Sequence, residues 1–118
     1  MTRITNTVYN ERCYLEANGH ATCEDKSSLN NTSNTSTDDE KAVCAAISIL
    51  MLSAAQRFFE MDANGDFVSA FITLEDGYAL FDVQPREDAR ERTEEIIEML
   101  MCGLYMLEEN YPQLIQIS

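Results

Sequence analysis

From Ile4 to Tyr9 apolar residues alternate with polar ones, and from Cys13 to Asn18 the alternation resumes, with Cys13, Leu15 and Ala17 set against Tyr14, Glu16 and Asn18. A period of two puts each set on its own face of a strand, so both segments read as half-buried strands that turn at Asn10-Glu11. Gly19 ends the second. Between Ser27 and Thr37 only Leu29 has a side chain suited to a core. That stretch, about residues 22–37 in all, reads as a flexible polar loop.

The period then changes. Thr37 and Glu40 stand three apart, as in a capping box, and Asp38 and Asp39 suit a first helical turn. Val43, Ala46, Ile47, Leu50, Met51 and Ala54 recur at helical spacing and predict an inner stripe. Ala45, Ile49 and Leu52 make the other side apolar too, so this helix is expected to be covered on both sides, which in a short chain favours a dimer. Asn64-Gly65 ends or follows the helix. Phe67 to Leu74 and Tyr78 to Val83 read as strands joined by Glu75-Asp76-Gly77 and closed by Pro85. A second helix is predicted from about Glu87 to Asn110, with Ile96, Ile97, Leu100, Leu104 and Leu107 inward. Pro112 stops it, and Leu114 to Ile117 reads as a last short strand. The order β-β-α-β-β-α-β predicts an α+β, two-layer sandwich in one domain over residues 1–118. Its sheet is mostly antiparallel, and its two helices share one face, buried in a homodimer.

Charge narrows the partners. The chain carries 8 basic and 21 acidic side chains, a net of −13. Such a field repels phosphate backbones and anionic headgroups, so nucleic acid and membrane surfaces fit poorly and a basic polypeptide fits well. No unbroken apolar run reaches membrane-spanning length; the longest, Ala42 to Leu52, already contains Ser48. The first residues carry no apolar stretch after Arg3, so no secretory signal is read and a cytoplasmic location is expected. Cys13, Cys23, Cys44 and Cys102 show no paired-ligand spacing, which predicts free thiols and no metal. No cofactor loop is found either. Asp62-Ala63-Asn64-Gly65-Asp66 imitates a calcium loop, but its glycine falls two places early and Thr73 stands where a glutamate is needed.

One histidine exists, His20, at the end of the second strand, and Cys44 lies across the polar loop on the first helix. A thiol and an imidazole are the least that a cysteine nucleophile requires. By residue type alone, a cysteine on an apolar helix is more often core than catalytic, and a lone histidine after a strand is usually structural.

Three segments resemble the ribosomal-processing cysteine protease (Prp) family: Gly19-His20-Ala21, Val43-Cys44-Ala45-Ala46-Ile47-Ser48, and Glu109-Asn110-Tyr111-Pro112-Gln113-Leu114-Ile115 following Gly103-Leu104. They occur in the family's order and span nearly the whole chain. The resemblance implies a homodimeric endopeptidase that removes a short N-terminal extension from a bacterial large-subunit ribosomal protein. It implies His20 as general base and Cys44 as nucleophile, with Gly19, Ala21 and Ser48 supporting the site or the substrate. Lys41 departs from the family pattern, which places an aspartate three residues before the cysteine, and the serine, asparagine and threonine stretch is inserted. If that aspartate caps the helix or orients the histidine, Asp38 or Asp39 must replace it, or activity suffers. The inserted loop is expected to act as a lid, and the amides at the first helix's start as oxyanion donors. The alternatives are a non-catalytic, acidic, dimeric module that holds a basic client, and a related protease with another client.

Overall fold

A computed structural model describes residues 1–21 and 37–118; the predicted polar loop, apart from Thr37, lies outside the described residues, as do Cys23 and the expected lid. Strand β1, Thr2–Tyr9, and strand β2, Arg12–Asn18, pair antiparallel, from Arg3 opposite Asn18 to Tyr9 opposite Arg12. They turn through Asn10 and Glu11, both left-handed at φ 49° and 63°. A two-residue turn of that hand matches the twist of the strands it joins.

Helix α1, Asp38–Ala63, opens on the predicted capping box. The Glu40 N–H donates to Thr37 Oγ1 at 3.1 Å, and the Thr37 N–H donates to Glu40 Oε1 at 2.9 Å. Val43, Ile47, Met51 and Ala54 are buried as their spacing predicts, while Ala46 and Leu50 are half-buried. Ile49 and Leu52, on the other side, are 61% and 51% exposed in the single chain. No unbroken apolar run reaches spanning length, yet α1 as a whole is long and apolar enough to cross a membrane by length and composition. A search for unbroken apolar runs misses it because Ser48, Ser53, Gln56 and Arg57 interrupt the apolar residues. Its apolar residues divide between a stripe packed on the sheet and an exposed side.

Strands β3, Phe67–Glu75, and β4, Tyr78–Pro85, form the predicted hairpin, and β4 pairs with β2 from Cys13 opposite Val83 to Asn18 opposite Tyr78. A 3-10 turn, Glu87–Ala89, precedes helix α2, Arg90–Asn110, where one continuous helix was predicted. No side chain caps that entry, and the unsatisfied first amides tighten the turn. Strand β5, Ile115–Ile117, returns parallel to β1. The sheet order is β3-β4-β2-β1-β5, a mostly antiparallel sheet with two helices, as predicted.

The core lies between sheet and helices. Phe58 of α1 meets Phe67 and Phe81 edge-on, with ring centroids 5.8 and 5.3 Å apart, and Ile4, Leu15, Val83 and Leu104 complete it. Arg12 is held on the sheet by Asp82 at 2.7 Å and lies over the Phe71 ring. What this frame positions is one end of the sheet. There β2 finishes, β3 turns into β4, and the first half of α1 passes overhead.

Candidate active site

At that end, Gly19 follows β2 at φ +97°, where a Cβ would fall 2.6 Å from the Met1 carbonyl oxygen. Only glycine fits both constraints. Its N–H donates to the Gly77 carbonyl at 2.8 Å, and its own carbonyl accepts from the Thr2 hydroxyl at 2.9 Å. The segment is thereby fastened between the start of β1 and the β3–β4 turn. His20, the next residue, is set over that turn, and its imidazole lies against the bare Cα of Gly77: a Cβ there would be 2.7 Å from Nε2.

Ala21 is buried, and its backbone N–H donates to Cys44 Sγ at 3.2 Å. This bond fixes where the half-buried sulfur sits and links the two segments that carry thiol and imidazole. Both groups line one cleft of about 480 Å³, together with Gly19, Ser48, Leu74 and Tyr78. Ser48 stands one turn beyond Cys44, as its spacing predicts. The structure thus gathers Gly19, His20, Cys44 and Ser48 around one cleft, with Ala21 just behind it.

Other positions differ from expectation. Among the described residues, the carboxylate paired with His20 belongs to Asp76, with Oδ2 3.7 Å from Nε2, not to Asp38 or Asp39. The Asp76 side chain is 97% exposed, so water screens much of that attraction. The amides of Asp38 to Glu40 lie about 6–9 Å back along the axis from Cys44, and the Glu40 N–H is already bonded to Thr37. At that distance the helix dipole has faded too.

Asp76, Leu74 and Tyr78 are cleft residues that sequence reading missed. The Asp-Gly pair signals a turn, but nothing local says which side chain the turn will face. Tyr78 donates to Glu16 Oε2 at 2.8 Å, and that bond, aided by burial, pushes the phenol up to about 12. Among the described residues no cluster of side chains is suited to holding a metal ion.

Among the described residues this geometry puts a half-buried thiol and a half-exposed imidazole on one cleft, an arrangement suited to thiol chemistry. The model of a family described as cysteine protease Prp matches residues 1–116. No curated protein sequence matches the chain. Among solved structures, the ribosomal processing protease Prp of S. aureus in complex with a substrate peptide is similar with a TM-score of 0.66 at 16% identity. That match covers 100% of this chain and 98% of the other. The same protease with a covalently linked product peptide gives 0.63 at 17% identity, over 100% and 98%. SMU.848 from Streptococcus mutans gives 0.63 at 20%, over 100% and 96%. At such identities these structures speak for the fold.

Proposed function

Because the chain belongs to the Prp cysteine protease family, we propose that it is an endopeptidase in which Cys44 is the nucleophile and His20 the general base. The observation that carries this reading is the thiol and the chain's one imidazole lining a single cleft. His20 takes the Cys44 proton and the thiolate attacks the scissile carbonyl carbon. As the C–N bond breaks, the imidazolium returns the proton to the leaving amine. Water, deprotonated by His20, then hydrolyses the thioester and frees the sulfur. The Ala21 N–H stays directed at the sulfur while charge develops on it, and Gly19 and Gly77 hold the imidazole at the rim.

The proposed client is the precursor of a basic bacterial large-subunit ribosomal protein, cleaved in the cytoplasm near its N-terminus. A net charge of −13 supports a basic client, and a fold-similar protease is described as ribosomal processing. A homodimer fits the apolar groove between α1 and α2, about 440 Å³, where Leu50, Ile96 and Met99 are grouped. Met99 is 76% exposed there.

The deciding experiment is cleavage of the purified precursor by wild type, Cys44→Ala and His20→Ala. Loss of cleavage in both variants, with folding retained, is expected. Full activity in either one removes the mechanism.

A further inference from the structure

β3 is the terminal strand of the sheet, nine residues long, bonded to β4 on one side alone among the described residues. Edge strands ordinarily carry lysine, proline or inward charges that discourage pairing. From Phe67 to Leu74 β3 has none of these, and its one irregularity is a register shift between Phe67 and Ser69. Every second residue of an antiparallel strand directs its N–H and C=O away from its partner. The outer side of β3 therefore offers a row of backbone donors and acceptors beside exposed Val68 and Phe71.

This edge leads into the proposed active site. Its last residues, Leu74 and Glu75, are walls of the cleft that holds Cys44 and His20. α1 runs antiparallel to it: Phe58 meets Phe67 at one end, and Leu52 shares the cleft with Leu74 at the other. Leu52 and, two turns on, Phe59 are each about half exposed on the same side of α1. Leu52 shares the cleft with Leu74, and helical spacing carries the same apolar side of α1 on to Phe59, so the two present a lip toward this edge.

We propose that the β3 edge receives the substrate as an added strand, so that main-chain pairing delivers the scissile bond to Cys44; this rests on the protease reading above. The occupant is an extended basic peptide with apolar residues at alternate positions. A strand added to β3 turns every second side chain toward the lip of Leu52 and Phe59, and Glu75 and Asp76 at the mouth favour cationic residues nearby. Main-chain pairing supplies affinity, and the lip supplies selection. A second copy of the chain fits this edge less well, because it would obstruct the mouth at Leu74 that a substrate must enter.

The test is an N-methyl scan of a synthetic peptide spanning the ribosomal precursor's cleavage site. Each methyl removes one amide donor and adds bulk where that donor pointed. The series is measured for kcat/KM with wild type and for binding by fluorescence anisotropy with Cys44→Ala. On one side of the scissile bond, losses of about tenfold at every second residue are expected, with the intervening residues nearly silent. Uniform losses, or none, overturn the added strand, as does an edge already taken by a second copy. Cleavage without alternation leaves the protease reading standing and removes this one. Alternating binding with no cleavage by wild type does the reverse, and a peptide neither bound nor cleaved removes both.

Discussion

Replacing Gly77 by alanine tests how the imidazole is held. Two effects arise at this position. Gly77 sits at φ +76°, where a side chain costs about 1–2 kcal/mol. A Cβ there would also lie 2.7 Å from His20 Nε2, 3.1 Å from Cδ2 and 3.2 Å from Cε1. Contacts under 3.0 Å are essentially never seen and ordinary contact begins at 3.4 Å, so the ring must withdraw by 0.3 Å (3.0 less 2.7) at the least and by 0.7 Å (3.4 less 2.7) for ordinary contact. The imidazole is half exposed and rotates away at little energetic cost, so stability should register the backbone term alone.

Catalysis should register the displacement, since a misplacement of about 1 Å can cost up to 100-fold. Gly65 supplies the control: its φ is +81°, with nothing within 4 Å of an added Cβ. Gly65→Ala and Gly77→Ala are therefore expected to lose similar stability in urea unfolding, about 1–2 kcal/mol each. Only Gly77→Ala is expected to lower kcat/KM, by about 10- to 100-fold, under conditions where both variants are fully folded. Equal activity in the two variants would refute the claim that Gly77 sets the position of the general base.

The capping box predicts that Thr37→Ala lowers stability by about 1 kcal/mol in chemical denaturation, because the Glu40 N–H loses its acceptor; an unchanged midpoint counts against it. Tyr78 should ionise at about 12 in an ultraviolet titration, and Glu16→Gln should bring it down toward the ordinary value near 10. The sign follows from the raised folded value. Its contribution to stability is complete below about pH 10 and is lost as pH climbs through about 12. A phenol that ionises at its usual pH in the wild type denies the bond to Glu16. Phe58→Ala should cost about 3–5 kcal/mol, since its ring joins α1 to β3 and β4; a loss under 1 kcal/mol in urea unfolding would contradict that packing.

Local regularities made most elements legible in the chain itself. The alternation through β2 and the helical spacing from Val43 to Ala54 reflect one requirement, that one face of each element leave water. The Thr37–Glu40 box and the Asp76-Gly77 turn are also short-range, so their residues declare them. The tighter turn at Glu87–Ala89 escaped because it hangs on a cap that is missing, and a missing partner leaves little trace in composition.

The site divides in the same way. Gly19, His20, Cys44 and Ser48 stood out from their motifs, but their meeting on one cleft depends on β2 ending beside the β3–β4 turn. Asp76 beside His20, and the Ala21 amide on the Cys44 sulfur, join residues 56 and 23 positions apart along the chain. Sheet order brings Asp76 to His20, and the packing of α1 on the sheet brings Cys44 to Ala21; sheet order likewise leaves β3, one of five strands that read much alike, as an edge unpaired among the described residues and ending at the cleft that holds the thiol. Periodicity records which face of an element turns inward; which elements then lie side by side is decided when those faces compete for one shared core.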